Sequence, residues 1–304
     1  MKDLKGKTCF LTGAASGIGC SFAKALAKED MKLFITDINI EGLENVKNDI
    51  ERIGAKVYSM KCDVSKLTDL EAAANQFYSK FGDVDLLINN AGIGLGDDLA
   101  NMDLEVWKSV FDVNLWSVIY SLKVFLPRML IRKTGHIVNV ASAAGIFGST
   151  EPLPYITSKF AVVGLSEGIY SRLKRQGIKI SVITPTLIKT EIFHSGFKKI
   201  KYSPNMLKKY GKEKLDEVYG AMLDKLINSA MSPDLAVKKY IRQIKKDNLY
   251  IFDSKGPKDI FALKGRDLNE YENFLVNYQE TQNKGMIEHL EKHGIKVEDF
   301  MLFS

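Results

Sequence analysis

Six times over, a short apolar run is followed by a longer amphipathic stretch, and this alternation limits the fold of the 304-residue chain more than any other feature. The runs end near Thr12, Asp37, Lys61, Asn89, Val140 and Ile183, and a seventh is "LYIF" at 249–252. The helix-like stretches cover 17–30, 41–53, 67–81, 101–132, 155–175 and 232–246. Runs such as "CFLT" (9–12), "LFIT" (33–36) and "LLIN" (86–89) have strand length, well short of the ~20 apolar residues that cross a bilayer. Strand followed by helix, repeated, calls for an α/β fold: a doubly wound parallel sheet of seven strands with helices on both faces. This unit spans 1–253. Residues 254–304 are charged and helix-prone without strands, and read as a helical C-terminal extension that packs on the main domain or on a partner subunit.

Polar residues collect where the apolar runs end. "LTGAASGIG" (11–19) follows the first strand and opens the first helix. Gly13, Gly17 and Gly19 permit a tight turn, and the helix N-terminus presents N–H groups and a positive dipole end to a phosphate. Asp37 ends the second strand, twenty residues beyond Gly17, where a carboxylate accepts hydrogen bonds from the ribose hydroxyls of an adenosine. A 2′-phosphate there meets like charge, and neither Ile38 nor Asn39 is basic, so NAD is favoured over NADP. Asp63 in "CDV" is placed to face an adenine amino group. "NNAG" (89–92), "VASAAG" (140–145) with Ser142, and "TPTLIKT" (184–190) end the fourth, fifth and sixth strands. Open parallel sheets bind ligands in the crevice at this end.

"YITSK" (155–159) sets Tyr155 one helical turn before Lys159. Alone, such a pair is also an ordinary surface contact; beside the other strand ends it reads as a phenol held ready for proton transfer. A free phenol has a pKa near ~10. A neighbouring ammonium and the charge of an oxidised nicotinamide favour the phenolate. Ser142 can donate to a carbonyl oxygen.

Other features exclude more than they assign. Cys9, Cys20 and Cys62 lie far apart without metal-type spacing and read as buried thiols in a reducing compartment. The charged start "MKDLKGK" leads straight into a strand, with neither signal peptide nor anchor, which points to the cytoplasm. Between Lys198 and Lys214, seven lysines against one glutamate match the whole formal charge of +6. A nucleic-acid binder spreads its basic residues over a face, so this cluster reads as a solvated, mobile segment. The sharper alternative is a docking surface for an acidic substrate tail or an anionic membrane. His289 and His293 share a helical face at i,i+4; without a third ligand they read as a solvent-facing pair, and no metal is assigned.

Taken together, residues 4–252 resemble the short-chain dehydrogenase/reductase family in its compact form of about 250 residues, a Rossmann-type fold. T-G-x3-G-x-G runs from Thr12 to Gly19, N-N-A-G is intact, and Ser142, Tyr155 and Lys159 keep the family's spacing. Asn114 in "FDVNLWSV" matches the fourth member of the family's catalytic tetrad. The resemblance implies an oxidoreductase with Tyr155 as acid/base and Lys159 lowering its pKa and holding ribose. It further implies Ser142 polarising the carbonyl and Asn114 relaying protons through a water. Asn114 has a plainer reading as a satisfied core amide that bends its helix. Dinucleotide contacts fall to Gly13, Ser16, Gly17, Ile18, Gly19, Asp37, Asp63, Val64, Asn90, Gly92, Ile188 and Thr190, besides Tyr155 and Lys159. Thr186 departs from the family, which usually has glycine after Pro185. Pairing of the helices at 101–132 and 155–175 would give a homodimer, within or without a homotetramer.

The substrate is less sharply drawn. Ser142, Phe147, Ile192 and Phe193, with Ile146 and Phe197, suggest an apolar pocket for a bulky steroid- or lipid-like alcohol or ketone under a lid at 191–230. The same residues also suit packing beneath the lid. Dehydrogenation of a sugar, polyol or hydroxyacyl compound, and a non-catalytic NAD-binding regulatory role, are the competing readings.

Overall fold

The computed structural model describes residues 2–95, 102–148, 152–190, 192, 202 and 204–296. Seven strands form one sheet in the order β3-β2-β1-β4-β5-β6-β7. They are β1 (Thr8–Thr12), β2 (Lys32–Asp37), β3 (Val57–Lys61), β4 (Leu86–Asn89), β5 (His136–Val140), β6 (Lys179–Thr184) and β7 (Tyr250–Phe252). Every pairing is parallel. Strand order reverses between β1 and β4, which opens a crevice at the C-terminal ends of both.

Strand residues alternate between two cores, as the pleat requires. Cys9, Leu11, Leu33, Ile35, Leu86 and Ile88 join Phe22 and Leu26 of α1 (Gly17–Lys28) and Leu43, Val46 and Ile50 of α2 (Ile40–Arg52). The same layer takes Tyr240 and Ile241 of α9 (Pro233–Ile244). Phe10, Phe34, Leu87, Ile137 and Val182 face the opposite layer. That layer contains α3 (Leu67–Phe81), α5 (Ser117–Arg132) and α6 (Leu153–Arg175). At its centre Phe10 stacks on Phe34 at 5.5 Å and meets Phe77 edge-on at 5.8 Å.

Two helical features differ from the sequence expectation. The stretch expected as one helix over 101–132 is α4 (Leu104–Phe111), a π-turn over Asp112–Trp116, then α5. By length and composition Leu104–Arg132 could cross a membrane, yet Val118, Leu122, Phe125 and Met129 face the second core. The segment expected as a mobile lid includes two helices, α7 (Pro204–Tyr210) and α8 (Lys212–Ser229). The lysines at 198, 199 and 201 lie outside the described residues.

Beyond β7, α10 (Lys255–Arg266) and α11 (Leu268–Lys292) pack back onto the main body. Phe261 reaches Tyr250 of β7 at 4.7 Å. Phe274 and Tyr278 meet Phe147 edge-on at 5.9 and 5.8 Å. The histidine pair of α11 is half-buried rather than solvent-facing: His289 Nε2 lies 3.0 Å from the Val218 carbonyl oxygen, and His293 Nδ1 lies 2.8 Å from that of His289. Among the described residues no group of three His, Cys, Asp or Glu side chains could hold a metal.

Candidate active site

The glycine-rich turn is built by close approach. Gly13 sits at φ +67°, and a Cβ there would lie 2.7 Å from the Ala91 Cα. On Gly19 a Cβ would lie 1.9 Å from the Gly13 carbonyl oxygen, so any side chain destroys the turn. Asn90 ties the turn to β4, its amide donating to the carbonyls of Thr12 (3.1 Å) and Gly13 (2.9 Å). The Thr12 hydroxyl accepts from the N–H groups of Asn90 and Ala91. Asn90 therefore shapes the loop through its side chain. Ser16 begins α1 in extended conformation with no side-chain cap, and the first turn holds no acid. Its N–H groups thus face the crevice end with no acid in the helix's own first turn, which fits a phosphate.

Asp37 turns its carboxylate toward that loop: Oδ2 accepts from the Ala15 N–H and Oδ1 from the Asn39 N–H, both at 2.9 Å. Asp63 is differently engaged. Its Oδ1 accepts from the Ser65 hydroxyl and N–H, and Oδ2 pairs with Lys66 at 3.3 Å. Val64 is buried in the second core. On the other side, a Cβ on Gly17 would lie 2.8 Å from the Thr190 methyl, so the segment after β6 closes over the loop. Ile188 is fixed beneath by a bridge to Met231.

Asn114, Tyr155 and Lys159 converge where α6 passes the end of β5. Lys159, only 3% exposed, has Nζ 5.5 Å from the Tyr155 ring centroid and donates to the Val140 carbonyl at 3.1 Å. Burial without a carboxylate pulls its pKa down to about 8. Tyr155 is half-buried on the turn before it. Asn114 Oδ1 accepts from the Ile93 N–H at 2.8 Å, while Nδ2 donates to the Ile93 carbonyl and the Ser158 hydroxyl, each at 3.0 Å. The π-turn places this amide inward, and such turns recur at functional sites. Gly92 completes the cluster: a Cβ there would lie 3.3 Å from both Asn114 Oδ1 and Lys159 Nζ.

Ser142 follows β5 and caps a 3-10 turn, Ala143–Gly145, its hydroxyl accepting from the Ala144 N–H at 3.1 Å. Among the described residues the Ser142 hydroxyl accepts this bond and donates none. The turn lies directly on α6: a Cβ on Gly145 would meet the Lys159 carbonyl oxygen at 2.6 Å. Of the apolar pocket residues, Ile192 lies against Gly94, where a Cβ would be 3.3 Å from its Cγ1. Phe147 is 6% exposed and buried under α11. Phe193 and Phe197 lie outside the described residues.

Sequence reading missed one group. Asp253, where the main unit ends in sequence, is 4% exposed. Its carboxylate accepts from the Thr186 N–H and hydroxyl, both at 2.9 Å, and from the Tyr240 hydroxyl at 2.8 Å. Thr186 therefore anchors the loop that carries Ile188 and Thr190. Its signal was its place directly after the seventh strand, at the functional end of the sheet.

Known proteins resemble this arrangement. A sequence model described as short chain dehydrogenase matches residues 7–201. A CLA biosynthesis dehydrogenase/reductase of Lactiplantibacillus plantarum is 38% identical over 198 residues, 64% of this chain and 69% of that protein. Epidermal retinol dehydrogenase 2 of Homo sapiens is 35% identical over 196 residues, 63% of each. Among solved structures, a short chain dehydrogenase/reductase from Burkholderia phymatum in complex with NAD superposes with a TM-score of 0.77 at 28% identity, over 88% of this chain and 96% of that one. An actinorhodin polyketide ketoreductase with NADPH gives 0.65 at 28% identity, over 81% and 92%.

Proposed function

The chain belongs to the short-chain dehydrogenase/reductase family, and we propose that it is an NAD-dependent enzyme interconverting a secondary alcohol and its ketone. The carrying observation is the buried Lys159 ammonium beside the Tyr155 ring, on the same end of the sheet as a phosphate-ready helix terminus.

Gly13, Gly17 and Gly19 would admit the dinucleotide's pyrophosphate, Asp37 its adenosine ribose, and Thr190 its carboxamide. When bound, that coenzyme supplies or accepts the hydride. The Tyr155 phenol gives its proton to the carbonyl oxygen in reduction and takes the alcohol proton in oxidation. Lys159 stabilises the phenolate that results, its charge strengthened by the dry surroundings. Ser142 donates to the same oxygen as charge develops on it. Asn114, gripped by both backbone groups of Ile93, holds the end of a water path toward Lys159.

Asp37 supports NAD: a 2′-phosphate would meet its carboxylate with no basic side chain at 38 or 39 to compensate. A bulky hydrophobic substrate is supported by Ile192 and by the relative named for retinol dehydrogenation. Cytoplasmic residence fits three unpaired cysteines, and a homodimer fits Trp116 and Ile131, exposed on the α4–α5 side.

A panel of cyclic, long-chain and polycyclic ketones, with sugars and polyols alongside, assayed with NADH and NADPH and with their oxidised forms, tests the reading. Turnover of the bulky members with at least about tenfold preference for NADH is expected. Turnover confined to sugars or polyols, or oxidation of neither coenzyme, would refute it.

A further inference from the structure

One helix touches both arms that leave the catalytic residues. Along α11, Tyr271, Phe274, Leu275 and Tyr278 follow the i, i+3, i+4, i+7 rhythm of a single face. This face covers the turn after Ser142. Phe274 and Tyr278 enclose the Phe147 ring. A Cβ on Gly148 would meet the Leu275 methyl at 3.5 Å.

The far end of α11 repeats the rhythm with Met286, His289, Leu290 and His293. It grips the other arm. Leu290 and Ile295, 2% and 1% exposed, share a core with Met206 of α7 and Leu215 and Val218 of α8. His289 reaches the Val218 carbonyl at 3.0 Å, and the Lys296 N–H donates to the Tyr210 hydroxyl at 3.0 Å. At 1.5 Å per residue, Phe274 and Leu290 stand about 24 Å apart. This is a strap long enough to join one side of a substrate crevice to the other.

We propose that α11 is the selectivity element of this enzyme: Phe274 and Tyr278 form the outer apolar wall over the Ser142 arm, and Leu290 holds the α7–α8 arm against it. The inference rests on the oxidoreductase reading for the substrate it selects, a bulky apolar alcohol or ketone, but its mechanical part stands apart from that chemistry. Phe147 contributes by supporting the wall from beneath rather than by meeting substrate itself.

The test uses the full-length protein carrying F274A/Y278A, Y278A alone, Y278F or L290A. For F274A/Y278A, KM for a bulky polycyclic ketone should rise by at least about tenfold. Its KM for cyclohexanone should rise by much less, and its Kd for NADH should stay within about twofold of wild type. Y278A should shift KM the same way by less, and Y278F should restore it. L290A should raise amide hydrogen exchange across 204–229 and leave β1 and β4 protected. Equal KM changes for small and bulky ketones, or unchanged exchange across 204–229 in L290A, would overturn the proposal. A wild-type protein that reduces no ketone would refute the chemistry alone, and the exchange measurement would still decide whether α11 straps the two arms.

Discussion

Lys159 and Gly92 show how tightly single residues set this site. Lys159 titrates near 8 because it is buried, not because an acid sits beside it. Below that pH it is an ammonium supporting the nascent phenolate; above it the charge is lost. In ketone reduction, kcat/KM of the wild type should therefore fall as pH rises through about 8. Lys159→Arg, which keeps its charge to beyond ~12, should move that limb out of range even as its bulk lowers the rate. A pH profile that keeps its limb near 8 in the arginine variant would assign the ionisation elsewhere. Gly92→Ala puts a methyl 3.3 Å from both Asn114 Oδ1 and Lys159 Nζ. Because misplacement of catalytic groups is costly, kcat should drop about tenfold while the thermal midpoint moves by only a few degrees. The serine–tyrosine–lysine set was legible in sequence through its spacing, which resembles that of a known family; a tyrosine one turn before a lysine is otherwise an ordinary contact. The roles of Asn90, in shaping the loop, and Ser158, in holding Asn114, were not. Their partners lie 77 and 44 residues away in the chain.

Among elements, the sheet and its flanking helices follow directly from apolar periodicity, because a strand buried on both faces and a helix buried on one write different patterns. The π-turn left only Asn114 as a trace: 101–132 otherwise has helical composition throughout, and the tertiary grip of Ile93 on that amide distinguishes its middle. Asp253 was also hidden, since "DSKGPKD" has turn composition and only its place directly after the seventh strand sets it apart. Its three donors come from Thr186 and Tyr240, on two other segments. Asp253→Ala leaves those donors unmatched and should cost about 3 kcal/mol in urea unfolding. Thr186→Gly removes one of them and should cost about 1 kcal/mol. If Asp253→Ala unfolds at the wild-type urea midpoint, the anchor has no energetic weight.

For the molecule as a whole, acid is the expected weakness. His136 is fully buried at the start of β5, far along the strand from the crevice. Ser181 gives its proton to the Asn248 carbonyl, so His136 Nε2–H donates to Ser181, at 2.8 Å. Burial holds the folded imidazole near pKa 3, below its unfolded value of ~6.5. The folded state thus binds fewer protons, and stability present above pH ~6.5 is lost as pH falls toward 3. The loss is on the order of 4 kcal/mol, and His136→Gln should flatten the dependence of the urea midpoint between pH 6.5 and 4. A variant as acid-sensitive as wild type would place the weakness in other groups. The extension beyond β7 was visible in sequence only as helix-prone charge; its two apolar faces are written along α11, but the arms they pack on lie far away in the chain and are set by the tertiary fold.

The central claim is that Tyr155 handles the substrate proton beside a bound nicotinamide, and Tyr155→Phe tests it most directly. Titration with NADH should give a Kd within about threefold of wild type, while steady-state ketone reduction falls by about 10² to 10⁴. Reduction at the wild-type rate by the phenylalanine variant, with coenzyme binding intact, would contradict the account.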